Sequence, residues 1–75
     1  MKLYKGLSGD TGVTAYQTGR DYIIVKFKNG SVYKYTYKQP GRTHVNAMKV
    51  LAATGKGLTT YINQYVRENY ERKLS

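Results

Sequence analysis

Cysteine and tryptophan are absent from these 75 residues, and proline, phenylalanine and histidine occur once each. Without cysteine no disulfide can staple the fold. With His44 alone and no thiolate, a closed structural zinc site is excluded, and no metal or other cofactor is expected. Acids are scarce too: Asp10, Asp21, Glu68 and Glu71 stand against 13 Lys and Arg, a formal net charge of +9. Long apolar runs are also missing. The aliphatic run Ile23-Ile24-Val25 is far shorter than the roughly 20 residues of a spanning helix, so no membrane partner is expected. Met1 to Gly6 contain no apolar stretch of signal-peptide length, which points to a cytoplasmic protein. A chain of this length forms one domain and buries only about 60–65% of the surface its unfolded form exposes, so its stability margin is thin.

What the chain has in quantity is positive charge and tyrosine. Between Tyr22 and Val66 lie Lys26, Lys28, Lys34, Lys38, Arg42, Lys49 and Lys56, and no acid. The excess is therefore a property of the folded body rather than of a tail. A soluble small domain usually carries about 2–8 net charges, and the excess here is better explained by a polyanionic partner. Nine residues are tyrosine, which suits half-buried positions and binding surfaces alike.

Residues 1–12, with Gly6, Gly9 and Gly12, have little periodicity and read as a loose lead-in to a single domain over 13–75. Val13 to Gln17 reads as a strand, and Thr18 to Asp21 as a turn. Tyr22 to Lys28 is a second strand, Asn29-Gly30 a hairpin turn, and Ser31 to Tyr37 a third strand. Asp10 and Asp21 lie beside turns and are expected to cap them locally. After Pro40-Gly41 the period changes. Val45, Met48, Leu51 and Ala52 recur at helical spacing, with Thr43 as the expected cap and Gly55 as the stop. Leu58, Ile62, Tyr65, Val66 and Tyr70 predict a second helix capped by Thr59 or Thr60, with Arg67, Arg72 and Lys73 near its C-terminus. Strands followed by helices predict an α+β fold, a three-stranded antiparallel β-meander with two helices packed on one face.

The hairpin has two possible registers. A two-residue Asn29-Gly30 loop puts Tyr33, Tyr35 and Tyr37 on a basic face with Lys26 and Lys28, and buries Lys34 among Val25, Phe27 and Val32. A three-residue Lys28-Asn29-Gly30 loop, with Gly30 as the left-handed bulge residue, gathers Ile23, Val25, Phe27, Tyr33, Tyr35 and Tyr37 on one apolar face. A one-residue slip inverts every side chain, and a lone buried charge is expensive. Burial thus favours the bulged register.

Catalysis finds little support. His44 in a first helical turn has no evident serine and carboxylate partners among Ser8, Ser31 and Ser75, and Glu68 and Glu71 sit among Arg67, Arg72 and Lys73 as charge partners. No enzyme is expected. Gly55-Lys56-Gly57 lacks the spacing of a phosphate-binding loop. A weaker phosphate site from Lys56, Thr59 and Thr60 remains open. The best functional signal is basic residues interleaved with aromatics: Tyr22, Lys26, Lys28, Lys34 and Lys38, with Arg42, Lys49 and Lys56 extending the strip around the first helix. Asn63 and Arg67, four apart, share a helix face. Asn63 is read as structural, and Arg67 is equally suited to packing on a tyrosine or contacting phosphate.

Phe27-Lys-Asn-Gly-Ser-Val-Tyr-Lys-Tyr35 and Tyr61-Ile-Asn-Gln-Tyr-Val-Arg-Glu-Asn-Tyr70 resemble the KTSC domain, named for the C-terminal domain of some lysyl-tRNA synthetases. Tyr33 and Tyr35 match its Tyr-x-Tyr, and Tyr61, Ile62, Asn63, Val66, Arg67 and Tyr70 its second stretch. The segment Thr54 to Thr60 is longer than the family's Ser-x-Gly. The resemblance implies a non-enzymatic accessory domain that binds RNA.

The sequence thus reads as a basic nucleic-acid-binding domain, RNA more than duplex DNA, through Tyr22, Lys26, Lys28, Lys34, Lys38 and Arg67. It is expected as a monomer or weak dimer. The alternative is a protein-interaction module with an acidic protein partner, such as a phage-encoded accessory or inhibitor protein.

Overall fold

Strand alternation gives way to helical spacing at Pro40-Gly41, and the chain follows that division. The computed structural model describes residues 1–9 and 11–75; Asp10, with its expected cap, and the Ser8 side chain lie outside the described residues. The elements in chain order are β1 (Lys2–Leu3), a 3-10 turn (Leu7–Gly9), β2 (Val13–Thr18), β3 (Tyr22–Phe27), β4 (Val32–Thr36), α1 (Arg42–Thr54), α2 (Leu58–Tyr61) continuing into a π-helical turn (Ile62–Val66), and β5 (Arg72–Lys73). The fold is α+β. Among the described residues the sheet has five antiparallel strands in the order β1-β2-β3-β4-β5, not three. The two additional strands are two-residue edges, too short to show alternation.

The hairpin takes the bulged register. The Phe27 amide donates to the Ser31 carbonyl at 2.8 Å and the Gly30 amide to the Phe27 carbonyl at 2.9 Å. Ile23 stands opposite Tyr35 and Val25 opposite Tyr33. Gly30 has φ 91°, a left-handed conformation that glycine enters without a Cβ clash. The Asn29 side-chain oxygen accepts from the Ser31 amide at 2.9 Å, closing the turn. Ile23, Val25 and Tyr35 pack beneath Val45, Met48, Ala52, Leu58, Ile62 and Val66. Tyr35 is fully buried, whereas Tyr33 and Tyr37 are half-buried against this core.

The glycine-spaced N-terminal segment is woven into this core. Tyr4 is 6% exposed, and its hydroxyl accepts from the Leu58 amide at 3.0 Å. The Leu7 amide donates to the Gly55 carbonyl at 2.7 Å.

Both helices start two or three residues before the hydroxyls expected to cap them. Gly41 is the N-cap of α1, so Thr43 lies inside the first turn, and Gly57 precedes α2. Gly55 ends α1 as expected, left-handed at φ 83°, its amide donating to the Leu51 carbonyl at 2.9 Å. The second helix stops at Val66 rather than Tyr70. It widens into a π turn in which the Arg67 amide donates to the Ile62 carbonyl. The chain then doubles back. Tyr70 packs on Tyr33 with ring centroids 4.4 Å apart, and the Glu71 amide donates to the Lys34 carbonyl at 2.9 Å. Arg72 and Lys73 therefore extend the sheet instead of the helix end.

Candidate nucleic-acid interface

Because α1 packs on β3 and β4 from one side, alternation sends the remaining side chains to the other face. There β3 presents Tyr22, Ile24 and Lys26, and β4 presents Val32 and Lys34. Lys34 pairs with Ile24 on one side and with Arg72 of β5 on the other. Two cations directly opposite on neighbouring strands repel each other, so this pair lowers the sheet's own stability. The Lys34 ammonium also lies 4.9 Å from the centroid of the Tyr22 ring. Lys26 is exposed on the same face. Glu71 bounds the strip at its far end, where its carboxylate accepts from the Thr36 hydroxyl at 3.1 Å.

The sequence-expected strip is thus partly assembled. Tyr22, Lys26 and Lys34 come together, while Lys28 sits in the hairpin turn and Lys38 in the turn after β4, both exposed. The Tyr22 ring lies against Gly19, where a Cβ would overlap it, so it is less free for stacking than an open aromatic. Arg67 is elsewhere, at the end of the π turn beneath the opposite face. Arg72 is the cation that sequence reasoning missed, because the helical spacing was extended through Tyr70. Lys49 is committed internally: its ammonium donates to the carbonyls of Gly19 at 2.7 Å and Arg20 at 3.0 Å. Arg42 stands over the Tyr37 ring at 5.0 Å.

In the weaker phosphate candidate, Thr59 accepts from the Val13 amide at 3.1 Å and so holds the start of β2. Lys56 and Thr60 are exposed on either side of it. His44 pairs with a phenol: its Nδ1 lies 2.7 Å from the Tyr61 hydroxyl. Burial and the neighbouring Tyr65 phenol push the Tyr61 pKa upward.

A second concave feature lies on the core side of the sheet, beyond the end of the second helix. This groove of about 460 Å³ is lined by the rings of Phe27, Tyr33, Tyr35 and Tyr70 and by the exposed Asn63, Arg67 and Glu68. Burial raises the Tyr35 pKa far above the ordinary phenol range, and Tyr33 and Tyr70 add to the shift. Among the described residues no cluster of three metal-ligating side chains occurs, and no helix is long and apolar enough to cross a membrane.

No family model, curated protein or solved structure matches the chain. Tyr33, Tyr35, Asn63, Arg67 and Tyr70, distant in the chain, come together at the groove.

Proposed function

We propose that this protein is a non-enzymatic module that binds RNA, single-stranded in preference to duplex DNA, largely through its backbone. The observation that supports the reading is the cross-strand Lys34–Arg72 pair, with Lys26 beside it on the open sheet face. A phosphate seated between two opposed cations turns a repulsion into two attractions and releases condensed counterions. Contacts of this kind position a strand without reading its sequence. The motif resemblance points the same way. A pleated face of two-residue spacing suits an extended strand.

The test is a titration against a fluorescent mixed-sequence RNA and a matched duplex DNA at several salt concentrations. Single-strand binding falls with salt by a log–log slope of about −0.7 per neutralised phosphate. Lys26, Lys34 and Arg72 together therefore predict a contribution of about −2. Replacing all three with alanine should weaken RNA binding and flatten the slope by that amount. Absence of RNA binding even at low salt would remove this reading in favour of an acidic protein partner, for which a shallow slope and a fixed stoichiometry are expected.

A further inference from the structure

The groove between the hairpin tip and the end of the second helix holds an unexplained polar atom. Tyr35 lines it and is fully buried, and among the described residues its hydroxyl has no hydrogen-bond partner. A buried hydroxyl without a partner forfeits its bonds to water, and cores of this size seldom keep one without a use. Phenylalanine would fill the same space. The walls around it are flat and aromatic: Phe27 meets Tyr33 edge-on at 5.7 Å, and Tyr33 packs on Tyr70 at 4.4 Å. The rim offers an amide from Asn63, a guanidinium from Arg67 and a carboxylate from Glu68. Lys73 adds a cation 5.8 Å from the Tyr33 ring.

We infer that this groove takes one unstacked nucleobase of the bound strand. Flat aromatic walls suit the faces of a base, and an amide and a carboxylate at the rim suit its edge; the Tyr35 hydroxyl beneath comes within reach when a seated base shifts the rings that cover it. Arg67 and Lys73 meet the flanking phosphates. The hairpin tip joins the two surfaces. Asn29 of the turn lines the groove, while Lys26 stands on the outer face just before it. A strand lying on the outer face reaches the groove by rounding this tip. The inference rests on the RNA reading above and gives Arg67 a function that the outer strip does not.

The experiment compares a single-stranded RNA decamer with the same decamer carrying one abasic ribose at each position in turn, against the wild-type protein and the Tyr35→Phe and Arg67→Ala variants. A seated base is worth about tenfold in affinity, so one abasic position should bind about tenfold more weakly to wild type. Tyr35→Phe should weaken the intact RNA several-fold and the abasic RNA not at all, while its melting temperature stays at or above that of wild type. Arg67 is exposed, so its replacement leaves the fold intact and should weaken both RNAs. Abasic RNAs that bind as tightly as intact RNA would overturn the groove inference and leave the electrostatic reading standing. Equal binding by wild type and Tyr35→Phe would assign the hydroxyl to a trapped water and also overturn it. Loss of all RNA binding, intact or abasic, would remove both.

Discussion

Tyr4 and Tyr35 both place a phenol in the core, in opposite circumstances. The Tyr4 hydroxyl accepts the amide of Leu58, whereas the Tyr35 hydroxyl has no partner among the described residues. Their phenylalanine variants should therefore diverge. Tyr4→Phe strands a buried amide and is expected to cost about 1–3 kcal/mol, read as a lower urea midpoint. Tyr35→Phe removes an unsatisfied group and should leave the midpoint unchanged or raise it. The same residue sets an alkaline dependence. Its folded pKa lies above the ordinary value of about 10 that the unfolded chain retains. Above that pH the unfolded state loses a proton that the folded state keeps, so stability falls as pH rises. The contribution is about 1.4 kcal/mol per pH unit for one group. Urea midpoints at about pH 9 and about pH 11 should fall more for wild type than for Tyr35→Phe, since lysine titration is common to both proteins.

At the scale of elements, the two left-handed glycines that end a strand and a helix differ in their surroundings. Gly30 has open space where a Cβ would stand. A Cβ on Gly55 would lie 2.8 Å from the Cβ of Lys5. Alanine at Gly30 should thus cost about 1–2 kcal/mol from backbone strain alone. Alanine at Gly55 should cost more, because Lys5 must also move, and denaturant titration of the two variants checks the order. The hairpin was the most legible element in the sequence. Asn29-Gly30 marks the turn, and the penalty of burying Lys34 selects the register from residues close in the chain. The helix stop at Gly55 was legible for the same local reason. The end of the second helix was not, since Tyr65, Val66 and Tyr70 keep a helical period that the fold abandons at Val66. What ends the helix there is tertiary: Tyr70 leaves to pack on Tyr33, and Arg72 and Lys73 leave to pair with β4. The groove was hidden for a related reason. Phe27, Tyr33 and Tyr35 read correctly as one apolar face, but nothing in the pattern shows that the helix stops before covering its far end. The spacing of Asn63 and Arg67 was a local signal of that site.

At the scale of the whole molecule, a sheet of five short strands and a pair of short helices must hold together against a net charge of +9. A domain of this size has a margin of only about 5 kcal/mol, so any segment that supplies core and ladder together is indispensable. The first residues do both. β1 covers the β2 edge, Tyr4 adds its ring to the core, and Leu7 ties the end of α1. Deleting residues 1–12 would take away the Tyr4 ring and leave the Leu58 amide without that acceptor. Burying an aromatic side chain of this kind contributes about 1.5–3 kcal/mol, and the stranded amide costs about 1–3 kcal/mol more. The sum is comparable to the whole margin. A chain beginning at Val13 should therefore lose its cooperative thermal transition, with the far-ultraviolet circular dichroism of a largely unfolded protein. A dispensable lead-in would instead leave a sharp transition within a few degrees of the full chain. Adding a high concentration of a simple polyanion distinguishes charge repulsion from lost packing in the truncated chain. Recovery of the transition would attribute the loss to the excess of cations. Continued disorder, the expected outcome, attributes it to the missing ring and ladder.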